Sequence, residues 1–145
     1  MSKSKILTAQ ARGQSMIPLI NPYDKMFVST STNKYRIGDV IVFYRNGTLT
    51  SHRLIWRLKN EYIVKGDNIF YFDSPVKKSS IVGKVVKIKG KNGTYELESW
   101  KYSFFSFYYI LYSLTLYIAP LVLKRNIYRL FRGRRYLIRF LKTCI

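Results

Sequence analysis

Residue types that cooperate in nucleophilic catalysis occur in order along the first half of the sequence. They are a serine, the only histidine and two aspartates: Ser15, His52, Asp67 and Asp73. A serine hydroxyl can attack a carbonyl carbon when an imidazole takes its proton, and a carboxylate can hold that imidazole in the required tautomer. An unperturbed imidazole titrates near pH ~6.5, so His52 could act as a base near neutral pH. These residue types predict acyl transfer through a serine nucleophile.

Each of these residues also has a plainer explanation when it is taken alone. Ser15 lies in the segment Gly13 to Pro18, and a serine between a glycine and a proline usually belongs to a turn. A single histidine in a strand is more often structural than catalytic. Asp67 could cap a turn through its own backbone, and Asp73 could be solvated. Either aspartate is a candidate for orienting the imidazole.

Strands must position these side chains. Stretches of sequence that are rich in β-branched and aromatic residues alternate with turn signals such as Asn46-Gly47. The pattern predicts strands over 36–44, 48–58, 61–64, 81–89 and 94–97, and the first of them is expected to be buried on both faces. His52 falls in the middle of the second strand. We therefore expect a mainly β fold, with a twisted sheet that carries the candidate site.

Length and composition exclude several classes of protein. A chain of 145 residues suits one domain, and 48% hydrophobic residues argue against disorder. One cysteine excludes an internal disulfide, and one histidine with one cysteine excludes a His/Cys zinc cluster. We predict no cofactor and no metal. The net charge of +19 predicts an anionic partner.

The C-terminal third carries nearly half of that charge. Residues 101–145 contain nine basic and no acidic side chains, and residues 104–123 contain no charged residue. Apolar residues at helical spacing between Ile127 and Leu141, with arginines on the other faces, predict a cationic amphipathic helix on anionic lipid. We predict a catalytic domain over 1–99 and a helical membrane-attachment segment over 100–145. The alternatives are an aromatic core helix packed on the sheet and an arginine-rich nucleic-acid surface.

Four short motifs, taken together, resemble a known family. In order they are Gly13-Gln14-Ser15-Met16-Ile17-Pro18, Gly38-Asp39-Val40-Ile41-Val42-Phe43, His52-Arg53-Leu54-Ile55, and Lys65-Gly66-Asp67-Asn68 with Asp73 beyond it. They are similar to the type I signal peptidases of the serine–histidine kind, found in the endoplasmic reticulum and archaea. That family shares a superfamily with the self-cleaving SOS repressors. The resemblance covers roughly residues 13–87.

The resemblance implies a role for each site residue. Ser15 corresponds to the nucleophile, His52 to the general base and Asp73 to the carboxylate that orients the base. Asp67 corresponds to the family's second aspartate, which helps to shape the site. The implied function is a membrane-associated serine endopeptidase that removes a leader or signal segment from a precursor, whose extended chain adds a strand to the sheet.

The sequence also departs from the family pattern. Gly13 stands where a small hydroxyl residue is usual, and Ile17 and Leu19 replace more polar residues. These departures favour one alternative, a non-catalytic module that binds an extended peptide and is tethered to a membrane complex.

The expected partners are a precursor peptide or protein and anionic membrane lipid, with no nucleic acid. The hydrophobic segment follows the candidate domain, and only 12 residues precede Gly13. We therefore expect the domain to lie on the cytoplasmic face of a membrane, held by helices in or near the inner leaflet. The sequence does not indicate an oligomeric state.

Overall fold

The structure, a computed structural model, describes residues 5–32 and 34–118. Within these residues, eight strands form one antiparallel sheet: β1 (Ile6–Gln10), β2 (Lys25–Ser29), β3 (Val40–Arg45), β4 (Thr48–Arg57), β5 (Glu61–Lys65), β6 (Val76–Lys77), β7 (Ile81–Gly90) and β8 (Gly93–Glu96). A 3₁₀ turn (Lys78–Ser80) precedes β7, and a helix, α1 (Trp100–Ile118), follows the sheet. The mainly β prediction is confirmed.

The strand order in the sheet is β1-β2-β7-β3-β4-β5-β6. β7 pairs with three strands: with β2, with β3 and, near its end, with β8. β3 and β4 form a hairpin around Asn46 and Gly47, both of which have positive φ as a two-residue hairpin turn requires. Five strands, β3, β4, β5, β7 and β8, lie where the sequence predicts them, whereas β1, β2 and β6 were not predicted.

Two apolar cores lie on opposite faces of the sheet, and β3 contributes to both. Val40 and Val42 belong to one core, with Met16, Ile20, Ile88 and Tyr102 among its members. Ile41 and Phe43 belong to the other, which includes Leu54, Tyr62 and Val64. Successive strand residues point to opposite faces, so this division confirms the prediction of a strand buried on both sides.

Helix α1 presents one face to the sheet and another to solvent. Tyr102, Ser106, Tyr109 and Ile110 are buried, whereas Trp100 is 77% exposed and Phe104 is 76% exposed. The alternative of an aromatic core helix is therefore correct for one face of α1. No helix within residues 5–118 is long and apolar enough to span a membrane. The rest of the predicted attachment segment, residues 119–145, lies outside the described residues, and the domain division at residue 99 stays a prediction.

Candidate active site

Ser15 lies on a tight turn that follows β1. The turn is closed by the Ile17 N–H, which donates to the Gln14 carbonyl (3.2 Å). The Met16 and Ile20 side chains that follow are buried in the first core, and the Ile20 N–H donates to the Met16 carbonyl (3.0 Å). The Asn68 N–H donates to the Ser15 carbonyl (2.7 Å), and Asn68 Nδ2 donates to the Gln14 carbonyl (3.2 Å). The backbone of Ser15 is thus fixed by apolar packing on one side and by the Gly66–Asn68 turn on the other.

His52 lies in the middle of β4, opposite Ile41 of β3. Its Nε2 is 3.0 Å from Ser15 Oγ, and its Nδ1 contacts Asp73 Oδ2. Only 6% of the His52 side chain is exposed, and the Phe43 ring packs edge-on against the imidazole at 6.1 Å between centroids. Because an ionised carboxylate can only accept, Nδ1 carries the proton, which leaves Nε2 as an acceptor for the serine hydroxyl.

Asp73 is held from two sides. Its Oδ2 faces His52, and its Oδ1 accepts from Arg45 Nη1 at 2.7 Å. Arg45 also donates to the Ser74 carbonyl (2.8 Å), and the Asp73 N–H donates to the Val64 carbonyl (3.0 Å). The backbone and the side chain of Asp73 are therefore both held in place. Burial alone would raise the pKa of Asp73, but the hydrogen bonds and charges of His52 and Arg45 together lower it. Asp73 is therefore an anion in the position from which it can orient the imidazole.

The Asp67 carboxylate faces Arg53 rather than the imidazole of His52. Its two carboxylate oxygens accept from Arg53 Nε (2.8 Å) and Nη2 (2.6 Å) in a bidentate pair. Both side chains are almost fully buried, at 1% and 2% exposure. Of the two candidate aspartates, the structure brings Asp73 to His52 and pairs Asp67 with an arginine.

Two arginines of this region were not predicted. The sequence indicates no role for Arg45, and Arg53 appears only within one of the four motifs. Their partners lie 28 and 14 residues further along the chain, so no local pattern could reveal the contacts. Within the part of the chain that the structure describes, no group of three or more His, Cys, Asp or Glu side chains could hold a metal ion.

A groove of about 640 Å³ opens beside Ser15. One wall is formed by the end of β1 and the residues after it, Ala9–Gly13, and the other by the first part of β4, Thr48–Ser51. β1 is the edge strand of the sheet, and β5 pairs with β4 only from Arg53 onward. The floor is apolar, with Met16, Ile20, Met26 and Val42. Backbone on both walls suits an extended polypeptide, which can add a strand to such an edge.

The family follows from a comparison with protein-family models. Residues 1–86 match the model of the Peptidase S24-like family, which is more than half of the chain. The chain belongs to the Peptidase S24-like family. The matched S24-like region contains Ser15, His52 and Asp73 together with β1 to β6. Membership confirms the superfamily predicted from the four motifs. A comparison with curated proteins gave no match.

Proposed function

We propose that this S24-like chain is a membrane-associated serine endopeptidase of the signal-peptidase type, which cuts a leader or signal segment from a precursor. The observation that carries the proposal is the alignment of Ser15 Oγ, 3.0 Å from His52 Nε2, with an imidazole whose Nδ1 contacts Asp73. This arrangement is the one that a serine nucleophile, a general base and an orienting carboxylate need.

The proposed reaction is acyl transfer. Ser15 Oγ bonds to the peptide carbonyl carbon while its proton moves to His52 Nε2, and Asp73 stabilises the imidazolium. The carbon–nitrogen bond then breaks, and the leaving amine takes the proton from His52. Water deprotonated by the same nitrogen attacks the acyl-enzyme and releases the acid product and the free serine. We propose that backbone N–H groups, including that of Ser15, hold the oxyanion.

The groove supports an extended substrate, and the resemblance to the signal peptidases favours small side chains near the cut. Its walls can hydrogen-bond a polypeptide backbone, and its apolar floor lies under Ser15. A leader or signal segment that precedes a folded region could supply such a stretch. The narrower assignment to serine–histidine signal peptidases depends on the four motifs and on the histidine, rather than a lysine, at position 52.

The test uses the full chain and a proteome-derived peptide library, with new termini identified by mass spectrometry. We expect the wild type to cut a subset of peptides, and Ser15→Ala to lose cleavage by about a thousandfold or more. Ser79→Ala, at an exposed serine of the 3₁₀ turn, is the matched control and should cut like the wild type. Undiminished cleavage by Ser15→Ala would reject the proposal.

One observation favours a second candidate function, a peptide-binding module without catalysis. Gly13 provides no hydroxyl at the position where the resembling family usually has one, while the groove is fully formed. In the same experiment, peptides that remain bound and uncut by the wild type would support the binding module.

Membrane association is supported by the exposed face of α1. Trp100, Phe104, Phe107, Tyr108 and Leu111 are exposed and recur at helical spacing. Residues 119–145, which follow the helix, contain eight lysines and arginines and no acidic residue. Aromatic side chains favour the membrane–water interface, and basic residues favour anionic lipid.

Vesicle sedimentation tests this association. We expect the full chain to bind vesicles containing phosphatidylglycerol more strongly than vesicles of phosphatidylcholine alone. Phe104→Glu with Phe107→Glu should weaken binding, whereas Trp56→Glu, at an exposed aromatic residue on β4, should not. Equal binding to both kinds of vesicle, or displacement from the anionic vesicles by duplex DNA, would count against a lipid surface as the partner.

We propose that the domain lies on the cytoplasmic face. The eight basic residues after α1 favour that side of the membrane for their own segment. A helix α1 that lies along the interface on its exposed aromatic face would keep the domain on the same side. Protease digestion of intact cells should leave the domain intact, and digestion from outside would place it on the opposite face.

A further inference from the structure

Arg53 is completely buried beside the proposed catalytic histidine, and the proposed chemistry does not use it. Its guanidinium pairs with Asp67, and its Nη1 lies within hydrogen-bond distance of three more oxygens: the Gly38 carbonyl (3.0 Å), the Tyr102 hydroxyl (2.9 Å) and Ser106 Oγ (2.5 Å). We call these five residues the Arg53 cluster. A buried cation with this many partners fixes the positions of every element that supplies one.

The Arg53 cluster joins helix α1 to the sheet. Tyr102 and Ser106 lie on the first two turns of α1 and are buried there. Ser106 Oγ also donates to the Gly38 carbonyl (2.7 Å), and a Cβ placed on Gly38 would lie 2.6 Å from Ser106 Oγ. The helix therefore approaches the backbone at Gly38 as closely as a glycine allows.

The same cluster reaches the backbone of Ser15. Asp67 belongs to the Gly66–Asn68 turn, and the next residue, Asn68, donates its N–H to the Ser15 carbonyl at 2.7 Å. On the other side, Arg53 directly follows His52 on β4. One guanidinium is thus connected by short covalent and hydrogen-bonded paths to both proposed reacting residues.

We infer that Arg53 is a positioning residue, and that the hydroxyls of Tyr102 and Ser106 on α1 help to set the Ser15–His52 distance through it. Tyr102 and Ser106 hold the guanidinium, the guanidinium holds Asp67, and the turn that contains Asp67 holds the serine. Helix α1, which lies beyond the S24-like match of residues 1–86, then forms part of the support of the site. The kinetic test of this inference rests on the proposed peptidase function.

The kinetic test compares the double variant Tyr102→Phe/Ser106→Ala with the wild type on a quenched fluorescent peptide chosen from the library cuts. Small displacements of reacting groups lower the rate of the chemical step more than they weaken binding. We expect kcat to fall about tenfold and KM to stay within about twofold. Ser103→Ala, at an exposed serine of the same helix, is the matched control. All variants are assayed at a temperature where circular dichroism shows them fully folded.

A second readout does not depend on cleavage. His52 is the only histidine, so the nitrogen resonances of histidine in labelled full-length protein all belong to it. Ser15→Ala gives the reference position of Nε2 without the serine hydroxyl. We expect the Nε2 resonance of the double variant to move toward that reference, and that of Ser103→Ala to match the wild type.

The two readouts separate the possible failures. A lower melting temperature with kcat and the Nε2 resonance both unchanged would overturn the positioning role and leave the cluster purely structural. If the wild type cuts no peptide, the proposed function fails, and the Nε2 resonance alone decides whether α1 positions the Ser15–His52 pair.

Discussion

Arg45 Nη1 lies 2.7 Å from Asp73 Oδ1, so the carboxylate beside His52 is also paired with an arginine. Arg45 ends β3, and its guanidinium lies 5.3 Å from the centroid of the Phe43 ring, which itself packs on His52. The arginine therefore holds the carboxylate in its ionised form and in a fixed orientation. This relationship makes Arg45 a contributor to the site although it does not touch the serine.

Substitution of Arg45 should reduce the rate less than substitution of Asp73. Asp73→Asn removes the charge that orients and stabilises the imidazolium, so we expect kcat to fall on the order of 10³–10⁴-fold. Arg45→Met leaves that charge in place without its partner, and we expect a loss of about tenfold. Steady-state kinetics on the same peptide measure both. Arg57→Met, at an exposed arginine that ends β4, is the control, and an Arg45→Met rate equal to that of the wild type would exclude Arg45 from the site.

Acid should remove the stabilisation that Asp73 provides. The pKa of Asp73 is lowered in the folded protein: burial acts to raise it, but His52 and Arg45 outweigh burial. A carboxyl with a lowered folded-state pKa stabilises the fold above its unfolded pKa of ~3.9, and the stabilisation is lost as pH falls from there through the folded-state value. The difference in unfolding free energy between wild type and Asp73→Asn should therefore shrink between pH 5 and pH 3, as denaturant titrations at each pH would show. A constant difference over that range would contradict the lowered pKa.

Breaking the buried Arg53–Asp67 pair should destabilise the fold strongly. Arg53→Met leaves the Asp67 carboxylate buried without its guanidinium, which costs about 3–5 kcal/mol in comparable cases. In the double variant Arg53→Met/Asp67→Leu the buried carboxylate that lost its guanidinium is removed as well, so the loss should be smaller than in Arg53→Met alone. Urea unfolding gives both values, and Arg57→Met should change stability by less than about 0.5 kcal/mol. A double variant as unstable as the sum of the single variants would show that the two residues act independently.

Two glycines with positive φ should respond differently to alanine. Gly38 (φ 98°) and Gly47 (φ 76°) share the backbone strain that a Cβ brings, but only at Gly38 does the new Cβ meet an atom, Ser106 Oγ. Around Gly47 there is open space. We expect Gly38→Ala to lower the unfolding free energy by about 1 kcal/mol more than Gly47→Ala, because α1 must shift. Equal losses would mean that the helix does not depend on this close approach.

The sequence predicts the central strands well because their signal is local. Val40–Phe43 are apolar in succession, and Asn46-Gly47 marks the turn that leads into β4. β1 and β2 were missed for a physical reason. β1 is an edge strand whose residues are mostly exposed, and its pairing with Lys25–Ser29 depends on a partner 15 or more residues away. β6 has two residues, too few to produce a pattern.

The residues of the candidate site also divide into those that the sequence predicts and those that it misses. Ser15, His52 and Asp73 could be proposed because the motifs that contain them resemble those of a known family, whereas the residue types alone left Asp67 and Asp73 as alternatives. Arg45 and Arg53 could not be found in this way, because an isolated arginine in a basic sequence is normally solvated. Their roles arise only when the topology brings them to carboxylates far along the chain.

The groove beside Ser15 also bears on when a polypeptide could be cut. A substrate that adds to the edge strand β1, as proposed, must have backbone hydrogen bonds that are still unmade, and neither a helix nor a strand already paired on both sides meets that condition. Under the proposed function, a segment held in a helix or in the interior of a sheet would therefore not be cut. Processing would have to act on nascent chains, unstructured termini or linkers, so the folding of the precursor itself sets the time during which it can be cleaved.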